Sequence, residues 1–343
     1  MEDTEPKRHK SIRNSGRVTM AAVGRMAGVS QVTVSRALSE PSKVSPATLR
    51  RIQEAIEVTG FVPNALAGAL ASQQSYLISA LVPSLTNIVY SAVIKTFSDR
   101  MREARYQILL SETGFDLTEE ERLIEAHLSR RPDAMLLTGI RHTAQARRML
   151  LGADIPVVEV WDMTDTPIDM CVGFSHAETA RAAADFAAGL GHRVAGTITA
   201  NDERAQRRRK MFAERFISHG GTVAAHECGG PASIAAGRAG LSDLLNTGEL
   251  VRGILFCSSD VLAHGAMIEA HARKLRIPYD IAIIGFGDQE FAAHVDPALT
   301  TVRVDRDMLG KASADAILSR IHGSTEIEQV TDLGFTIIKR DST

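Results

Sequence analysis

Residues 28–38 read GVSQVTVSRAL, and this short stretch decides how the first part of the chain folds. Its Val and Thr residues lower helix propensity, while its leading Gly and its Arg-Ala-Leu end do not continue the alternation of a strand. In a helix, Val34 and Leu38 share one apolar face, and hydroxyl, amide and guanidinium groups occupy the other. We therefore predict a helix that is stabilised by packing onto neighbouring helices and that offers its polar face to a partner.

The residues on both sides of this stretch predict two further helices. Thr19 is placed to cap a helix before it, Gly28 lets the chain turn, and Ser30 caps the helix of the stretch itself. Ser45 followed by Pro46 is a cap followed by a favoured first helical residue, so a third helix begins there. Three short helices between residues 18 and 63 predict a compact helix-turn-helix headpiece.

The polar face of the second helix suits DNA. A helix-turn-helix presents the start of its second helix to the major groove, where Gln31 can bond an adenine edge and Val32 can pack on a thymine methyl group. Hydroxyl groups and Arg36 suit phosphate contacts, and an ordinary helical hairpin with a polar face is the alternative. The predicted DNA-contacting residues of the headpiece are Thr19, Ser30, Gln31, Val32, Thr33, Ser35 and Arg36.

The charge of the chain is unevenly distributed. Its 343 residues carry a net charge of −2, yet residues 1–72 hold 10 Lys/Arg against 6 Asp/Glu, and the remainder holds 29 against 35. A basic beginning on an acidic body indicates an anionic partner for the N-terminal part. Residues 1–17 are polar and basic, and we expect a disordered tail there.

After Ser75, short apolar runs alternate with amphipathic helical patterns. This alternation predicts an α/β fold with parallel sheets covered by helices on both faces, and the number of strands favours two subdomains. One helix start is predicted at Thr118, where Glu121 completes a capping box. The predicted strands are 76–82, 106–111, 134–138, 156–160, 170–174, 194–200, 222–227, 253–257, 281–285, 300–304 and 334–339.

Several classes of protein are disfavoured because the sequence lacks their motifs. Gly285-Phe286-Gly287 lacks the third glycine of a dinucleotide-binding loop, and there is no phosphate-binding P-loop, HExxH or GxSxG motif, so we predict no enzyme and no cofactor. Three cysteines without CxxC spacing favour reduced thiols over disulfides or a metal site. The absence of an apolar signal segment or a run of about 20 apolar residues predicts a cytoplasmic protein without a membrane partner.

The motifs of the headpiece and of the core together resemble the lactose/galactose repressor (LacI/GalR) family, from residue 18 to about residue 340. The resemblance is carried by Val18-Thr19, Ala27 to Ser30, Thr33 to Leu38, Val44-Ser45, Thr48, Phe61 to Asn64, Val82 to Asn87, Val172 to Phe174, Gly191-His192, Ile283 to Phe286 and Pro297 to Val302. It implies a homodimer that binds double-stranded operator DNA, with a core folded like the periplasmic sugar-binding proteins.

The resemblance also implies how the chain is divided. The expected parts are a headpiece at 18–63, a hinge at 64–75 and a core at 76–340, the core having an N-subdomain of about 76–175 plus 304–333 and a C-subdomain of about 176–303 plus 334–340. In the hinge, Leu70 is the expected apolar wedge in the minor groove, beside Asn64 and Ala67. An isolated segment this short is not a stable helix, so the hinge is expected to become ordered on DNA.

The core is expected to bind a small effector in the cleft between its subdomains. Residues carried over from the family pattern are Ser84, Asn87, Tyr90, Trp161, Asp162, Phe174, Arg208, Ser259, Asp260 and Asp288. The stretches 138–143, 157–162, 167–170 and 172–176 resemble the gluconate-operon repressors of the family, which implies a sugar or sugar acid such as gluconate. Arginines near the cleft suit a carboxylate, but His176 and Ala180 depart from the Asn-x-x-x-Gly that such relatives often carry.

Two alternatives remain open from the sequence. A sugar-binding protein of transport type would explain the core but not the headpiece, and it would need an export signal. A regulator with a nucleotide-like or protein corepressor would explain both parts. Induction and corepression are not distinguished by these residues.

Overall fold

The computed structural model describes residues 18–63, 74–250, 252–324 and 328–343, and the contacts divide the chain after Ser75. The predicted basic tail at 1–17 and the hinge residues Asn64, Ala67 and Leu70 lie outside the described residues. The first unit is the headpiece, and the second, from Tyr76 onward, is the core.

The headpiece is built from short capped helices. They are α1 (Met20–Ala27), α2 (Gln31–Ser39) and α3 (Pro46–Thr59), with a 3-10 turn at Pro41–Lys43. The predicted caps are confirmed: Thr19, Ser30 and Ser45 each accept a hydrogen bond from the backbone N–H three residues later. Gly28 turns the chain between α1 and α2 with φ at +66°, in the left-handed region that glycine adopts most easily.

The buried face of α2 differs from the prediction in one position. Val34 is fully buried as expected, but Leu38 is 38% exposed, and Ala37 takes the second buried place at 4% exposed. The apolar contact therefore follows i, i+3 spacing rather than i, i+4 spacing along this helix. Val34 and Ala37 pack with Val23, Ile52 and other apolar residues of α1 and α3.

The core alternates strands and helices along the chain. The strands are β1 (Leu77–Val82), β2 (Gln107–Glu112), β3 (Ala134–Thr138), β4 (Val157–Val160), β5 (Met170–Gly173), β6 (Val194–Thr199), β7 (Thr222–Glu227), β8 (Ile254–Cys257), β9 (Ala282–Phe286), β10 (Thr300–Arg303), β11 (Val330–Asp332) and β12 (Thr336–Ile338). The helices are α4 (Ile88–Glu103), α5 (Leu117–Leu128), α6 (Ala144–Gly152), α7 (His176–Gly189), α8 (Glu203–Ser218), α9 (Ile234–Asn246), α10 (Asp260–Ala272) and α11 (Arg306–Ile321), with a 3-10 turn at Glu290–Ala293.

These strands form two sheets among the described residues. The first has the order β11-β5-β4-β3-β1-β2, and the second has the order β12-β10-β9-β8-β6-β7. All the pairings are parallel except that of β12 with β10. The chain passes between the sheets after β5, after β10 and after β11, so three connections join two subdomains.

One apolar cluster extends through both subdomains. It contains Ile78 and Val158 from the first sheet together with Phe256 and Ile284 from the second. Within the described ranges, no helix combines the length and the apolar character needed to cross a bilayer.

The secondary structure confirms all eleven predicted strands and corrects two details. Each predicted strand is present with its ends within two residues, but β11 was not predicted because its three residues, Val-Thr-Asp, have no apolar alternation. The helix predicted to be capped by Thr118 instead begins at Leu117. Its cap is Asp116, whose carboxylate accepts a hydrogen bond from the Thr118 N–H at 2.8 Å.

Candidate functional sites

The first candidate site is the exposed face of α2 in the headpiece. Gln31, Val32, Ser35 and Arg36 are exposed, Val32 at 65%, and they line a groove of about 500 Å³. Groups at the start of a recognition helix must be free of internal contacts to reach base edges. Packing of Val34 and Ala37 onto the headpiece leaves these four side chains pointing away from it.

The remaining predicted headpiece residues, Thr19, Ser30 and Thr33, do not line this groove, and they carry local bonds. Ser30 and Thr33 join their hydroxyl groups at 2.9 Å, and Thr19 is an exposed cap on α1. Met20 also lines the groove. It is half-buried, so it contributes to both the core and the groove.

The second candidate site is a cleft of about 880 Å³ in the core, at the carboxyl ends of parallel strands from both sheets. Open α/β sheets bind ligands at these strand ends because the loops that follow the strands meet there. Six of the residues predicted for the effector line it: Ser84, Asn87, Tyr90, Trp161, Arg208 and Ser259.

The cleft has further polar walls that were not selected from the sequence: Asn201, Asp202, Arg204, Ser258 and Gln289. Arg204 precedes Arg208 by four residues on α8, so the two side chains lie on the same face of the helix. That four-residue spacing was the signal in the sequence that could have identified Arg204 as a cleft residue. The arginine-rich run 204–210 concealed it, because a solvated basic helix face has the same composition.

Arg208 is 5% exposed and is held on several sides. Its Nη1 donates to His176 Nδ1 at 2.8 Å, its Nη2 donates to the carbonyl of Ser258 at 2.9 Å, and its guanidinium carbon lies 4.0 Å from the centre of the Phe286 ring. Burial lowers the pKa of Arg208 to about 10, so the side chain still carries its charge at neutral pH. Its Nε has no hydrogen-bond partner in the described structure.

Arg204 is a second buried cation in the same cleft, 8% exposed. Its Nη2 donates to the Tyr90 hydroxyl at 3.1 Å, and its Nη1 has no partner among the described atoms. Burial raises the pKa of Tyr90, which keeps that phenol neutral. Neither Arg204 nor Arg208 forms an ion pair with a carboxylate in the part of the chain that the structure describes.

Aromatic rings form the wall beside these arginines. Trp161 lies edge-on to Tyr90, with ring centres 5.7 Å apart, and edge-on to Phe174 at 5.2 Å. The backbone of Trp161 has φ at +72°, a left-handed conformation that costs a bulky residue about 1–3 kcal/mol and that often occurs at binding sites. Phe174 itself is fully buried behind the Trp161 ring and does not line the cleft.

The predicted acidic residues lie outside the cleft lining and bond to the protein itself. Asp162 accepts from Arg207 Nη1 at 2.9 Å and lines a smaller neighbouring cavity of about 270 Å³. Asp260 is fully buried, where its carboxylate accepts from the Thr301 hydroxyl at 2.6 Å and from the Gln289 N–H at 2.7 Å.

Asp288, at φ +46°, accepts from two arginines: Arg303 Nε at 2.6 Å and Arg340 Nη2 at 2.7 Å. These bonds connect the loop after β9 to β10 and to the C-terminal segment. In the described structure, the contacts of Asp162, Asp260 and Asp288 are therefore structural. The acidic residues that do line the cleft are Asp202 and Glu112, and neither forms an ion pair with Arg204 or Arg208 in the part of the chain that the structure describes.

Comparisons with known proteins agree with both parts of this architecture. Residues 19–64 match the model of the bacterial regulatory proteins of the lacI family, and residues 184–343 match that of the periplasmic binding protein-like domain. The chain is 34% identical over 340 residues to the HTH-type transcriptional regulator GntR of Pseudomonas aeruginosa, covering 98% of this chain and 99% of that protein.

Solved structures give the same result. A LacI-family transcriptional regulator from Silicibacter pomeroyi superposes with a TM-score of 0.89 at 31% identity, covering 95% of this chain and 99% of that one. The lac repressor dimer bound to operator and the anti-inducer ONPF shares the fold at 24% identity, with a TM-score of 0.84 and coverage of 95% and 99%.

The chain belongs to the LacI family of bacterial regulatory proteins. It is a DNA-binding transcriptional regulator and not an enzyme. The headpiece groove lies within the first matched range, and the second matched range contains the cleft residues from Ala200 onward.

Proposed function

We propose that this regulator is a cytoplasmic repressor that binds operator DNA as a homodimer and is controlled by a small effector in the core cleft, a sugar or a sugar acid such as gluconate. In this proposal Gln31 and Val32 read bases, while Thr19, Ser30, Thr33, Ser35 and Arg36 contact the DNA backbone. Leu70 is the minor-groove wedge, with Asn64 and Ala67 beside it in the hinge. Two headpieces of a dimer would occupy successive major grooves of a pseudo-palindromic site.

The observation that supports an acidic effector is the unpaired charge in the cleft. Burying a cation without a counter-ion costs several kcal/mol, and Arg208 and Arg204 are both buried without a carboxylate partner among the described residues. A ligand carboxylate would supply that counter-charge through charge-assisted hydrogen bonds, to which guanidinium groups are well suited.

The remainder of the lining supports a polyhydroxylated ligand. Ser84, Asn87, Asn201 and Ser259 line the cleft and offer donors and acceptors for hydroxyl groups. Trp161 supplies an apolar surface for the carbon chain. Effector binding would change operator affinity by the difference in effector affinity between the two states of the repressor, typically about 1–3 kcal/mol.

The experiment has two arms. DNA selected from a random pool by the full-length chain provides an operator, and fluorescence anisotropy measures its affinity with and without effector. Calorimetry then compares gluconate with glucose, which has the same carbon number and no acid group. We expect gluconate to bind at least ~10-fold more tightly than glucose and to change operator affinity.

Three results would count against the proposal. Equal binding of gluconate and glucose would remove the role of the carboxylate. Binding of nucleotides or nucleosides in place of either sugar would favour a nucleotide-like corepressor. Failure to select any DNA sequence would reject the operator-binding half of the proposal.

A further inference from the structure

His176 is a buried side chain between the two subdomains that the proposed function does not use. It is the first residue of α7, just after the chain leaves β5, and it is fully buried. Its ring lies 4.6 Å from the ring of Phe174 and 6.0 Å from that of Phe286, measured between centres. It does not line the cleft, yet it contacts two residues that do.

The two ring nitrogens of His176 bond to opposite sides of the site. Nδ1 lies 2.8 Å from Arg208 Nη1, and Nε2 lies 2.9 Å from the carbonyl oxygen of Trp161. A guanidinium can only donate, so Nδ1 must be the acceptor, and a carbonyl can only accept, so Nε2 must carry the proton. One neutral tautomer satisfies both bonds.

The surroundings of His176 favour that neutral form. Burial, together with the nearby charges of Arg208 and Arg204, holds the pKa of His176 well below its usual value. A protonated ring would direct an N–H at a guanidinium N–H, and it would lose the bond to Arg208. His176 therefore stays an acceptor for Arg208 across the neutral pH range.

These bonds connect the residues that the ligand would meet on both sides of the cleft. Trp161 follows β4 of the first sheet, and Arg208 is on α8, which follows β6 of the second. The bond from Nε2 holds the Trp161 carbonyl, at a residue whose φ is +72°. The bond to Nδ1 occupies Arg208 Nη1, which orients the guanidinium and leaves its Nε unbonded.

We propose that His176 is a positioning residue that orients Arg208 against Trp161 and thereby sets the preference of the cleft for ligands that carry an acid group. The proposal rests on the proposed function, because it takes the cleft as the effector site. It also makes a statement about the ring tautomer that does not depend on any ligand.

Two substitutions separate the two bonds of the ring. In His176→Asn, the side-chain oxygen can occupy the place of Nδ1 and accept from Arg208, while the donor to Trp161 is lost. In His176→Gln, the amide nitrogen can occupy the place of Nε2 and donate to Trp161, while Arg208 loses its acceptor. We expect gluconate affinity to fall at least ~10-fold in His176→Gln and less than ~3-fold in His176→Asn, because only the first variant removes the charge-assisted hydrogen bond that orients Arg208.

The selectivity for gluconate over glucose should fall in His176→Gln only. Thermal midpoints and operator affinity without effector serve as controls for folding in both variants. Equal loss of gluconate affinity in the two variants, or unchanged affinity in both, would reduce His176 to a packing residue and overturn the proposal.

A spectroscopic arm keeps this proposal separate from the proposed function. With 15N-histidine labelling, the signals of His176, assigned by their loss in His176→Asn, should show a protonated Nε2 and an unprotonated, hydrogen-bonded Nδ1 in the ligand-free protein. A protonated Nδ1 would overturn the proposal whatever the effector is. If wild-type protein shows this tautomer but binds neither gluconate nor glucose, the assignment of the effector is wrong, and the positioning of Arg208 by His176 stands.

Discussion

The exposed face of α2 and the wall of the core cleft present their side chains in opposite ways. Gln31, Val32 and Arg36 lie within six residues of one helix and point outward. Tyr90 and Arg208 are more than a hundred residues apart in the chain and are both at least nine-tenths buried. One site is therefore local and exposed, and the other is assembled by the fold and largely enclosed.

This difference in burial determines whether a substitution also affects the stability of the folded protein. A side chain on the exposed α2 face contacts mainly solvent, so its removal should change the stability of the headpiece little. A side chain of the cleft bonds to others in the cleft, as Arg204 does to Tyr90 and Arg208 does to His176. Its removal leaves buried partners unpaired, which costs free energy even without a ligand.

The largest effect is expected in the cleft, from Arg208→Ala. We expect effector affinity to fall at least ~100-fold, about 3 kcal/mol, because the variant loses a desolvated charge that would face the ligand carboxylate. Calorimetry with gluconate measures the loss, and operator anisotropy should show binding without any response to effector.

Lys210→Ala is the matched control for that variant, since Lys210 is on the same helix with its side chain 68% exposed. It should change effector affinity by less than ~2-fold. An unchanged gluconate titration in Arg208→Ala would remove this arginine from the effector site.

The second effect concerns pH and Asp260, beside the cleft. Burial raises the pKa of Asp260 to about 6, so between pH ~4 and ~6 the folded protein holds a proton that the unfolded chain releases. The contribution of Asp260 to the free energy of unfolding should therefore fall as pH rises through this window, by on the order of 2–3 kcal/mol. Asp260→Asn should remove this contribution from the pH dependence without breaking the local bonds, because its amide can accept from the Gln289 N–H and donate to the Thr301 hydroxyl.

Denaturant unfolding of the wild type and Asp260→Asn at pH values from 4 to 7 measures the difference. We also expect gluconate affinity to change by less than ~3-fold, since Asp260 does not line the cleft. A large loss of effector affinity with an unchanged pH slope would place Asp260 in the effector site instead.

The smallest effect on stability, and the sharpest contrast, comes from two valines of α2. Val34 is fully buried and Val32 is 65% exposed, two residues apart on the same helix. Val34→Ala should destabilise the headpiece by about 2 kcal/mol, because it leaves a cavity among α1, α2 and α3. Val32→Ala should stay within about 0.5 kcal/mol of wild type and shift the preferred operator sequence at one base position.

Thermal unfolding of the headpiece signal, together with selection of operators from random DNA, tests this pair. Uniform weakening of all DNA sequences by Val32→Ala, with no change of preference, would make Val32 a backbone-contacting residue. Similar destabilisation by the two substitutions would contradict the distinction between a packed and a reading face.

Local chemistry explains what could be predicted. Thr19, Ser30 and Ser45 cap their helices through bonds that span three residues, so the sequence around each cap contains the necessary partners. The buried parallel strands could also be predicted, because their apolar runs are continuous and can be recognised within a few residues. Errors arose where the signal was weak or ambiguous: Asp116 replaced Thr118 as a cap, and β11 has only three residues.

The residues that line the cleft could be predicted only in part. The resemblance to a family identified Tyr90, Trp161 and Arg208 as a set, but it also included Asp288, which the structure places between two arginines outside the cleft. Arg204 was not selected, because the arginine-rich run 204–210 has the composition of a solvated helix face and its burial depends on Tyr90 from the other subdomain. No local pattern distinguishes a carboxylate that faces a ligand from one that joins two loops.

The sequence by itself determined the headpiece, its turn and its caps, and the alternation of strands and helices, because these depend on hydrogen bonds and apolar periodicity over a few residues. It also predicted the exposed polar face of α2, which the structure confirms at Gln31, Ser35 and Arg36. Only the tertiary structure decided that Leu38 is exposed and that Asp260 is enclosed. It likewise brought His176 between Arg208 and Trp161, since burial and pairing are set by which distant segments meet when two sheets and three connections pack together.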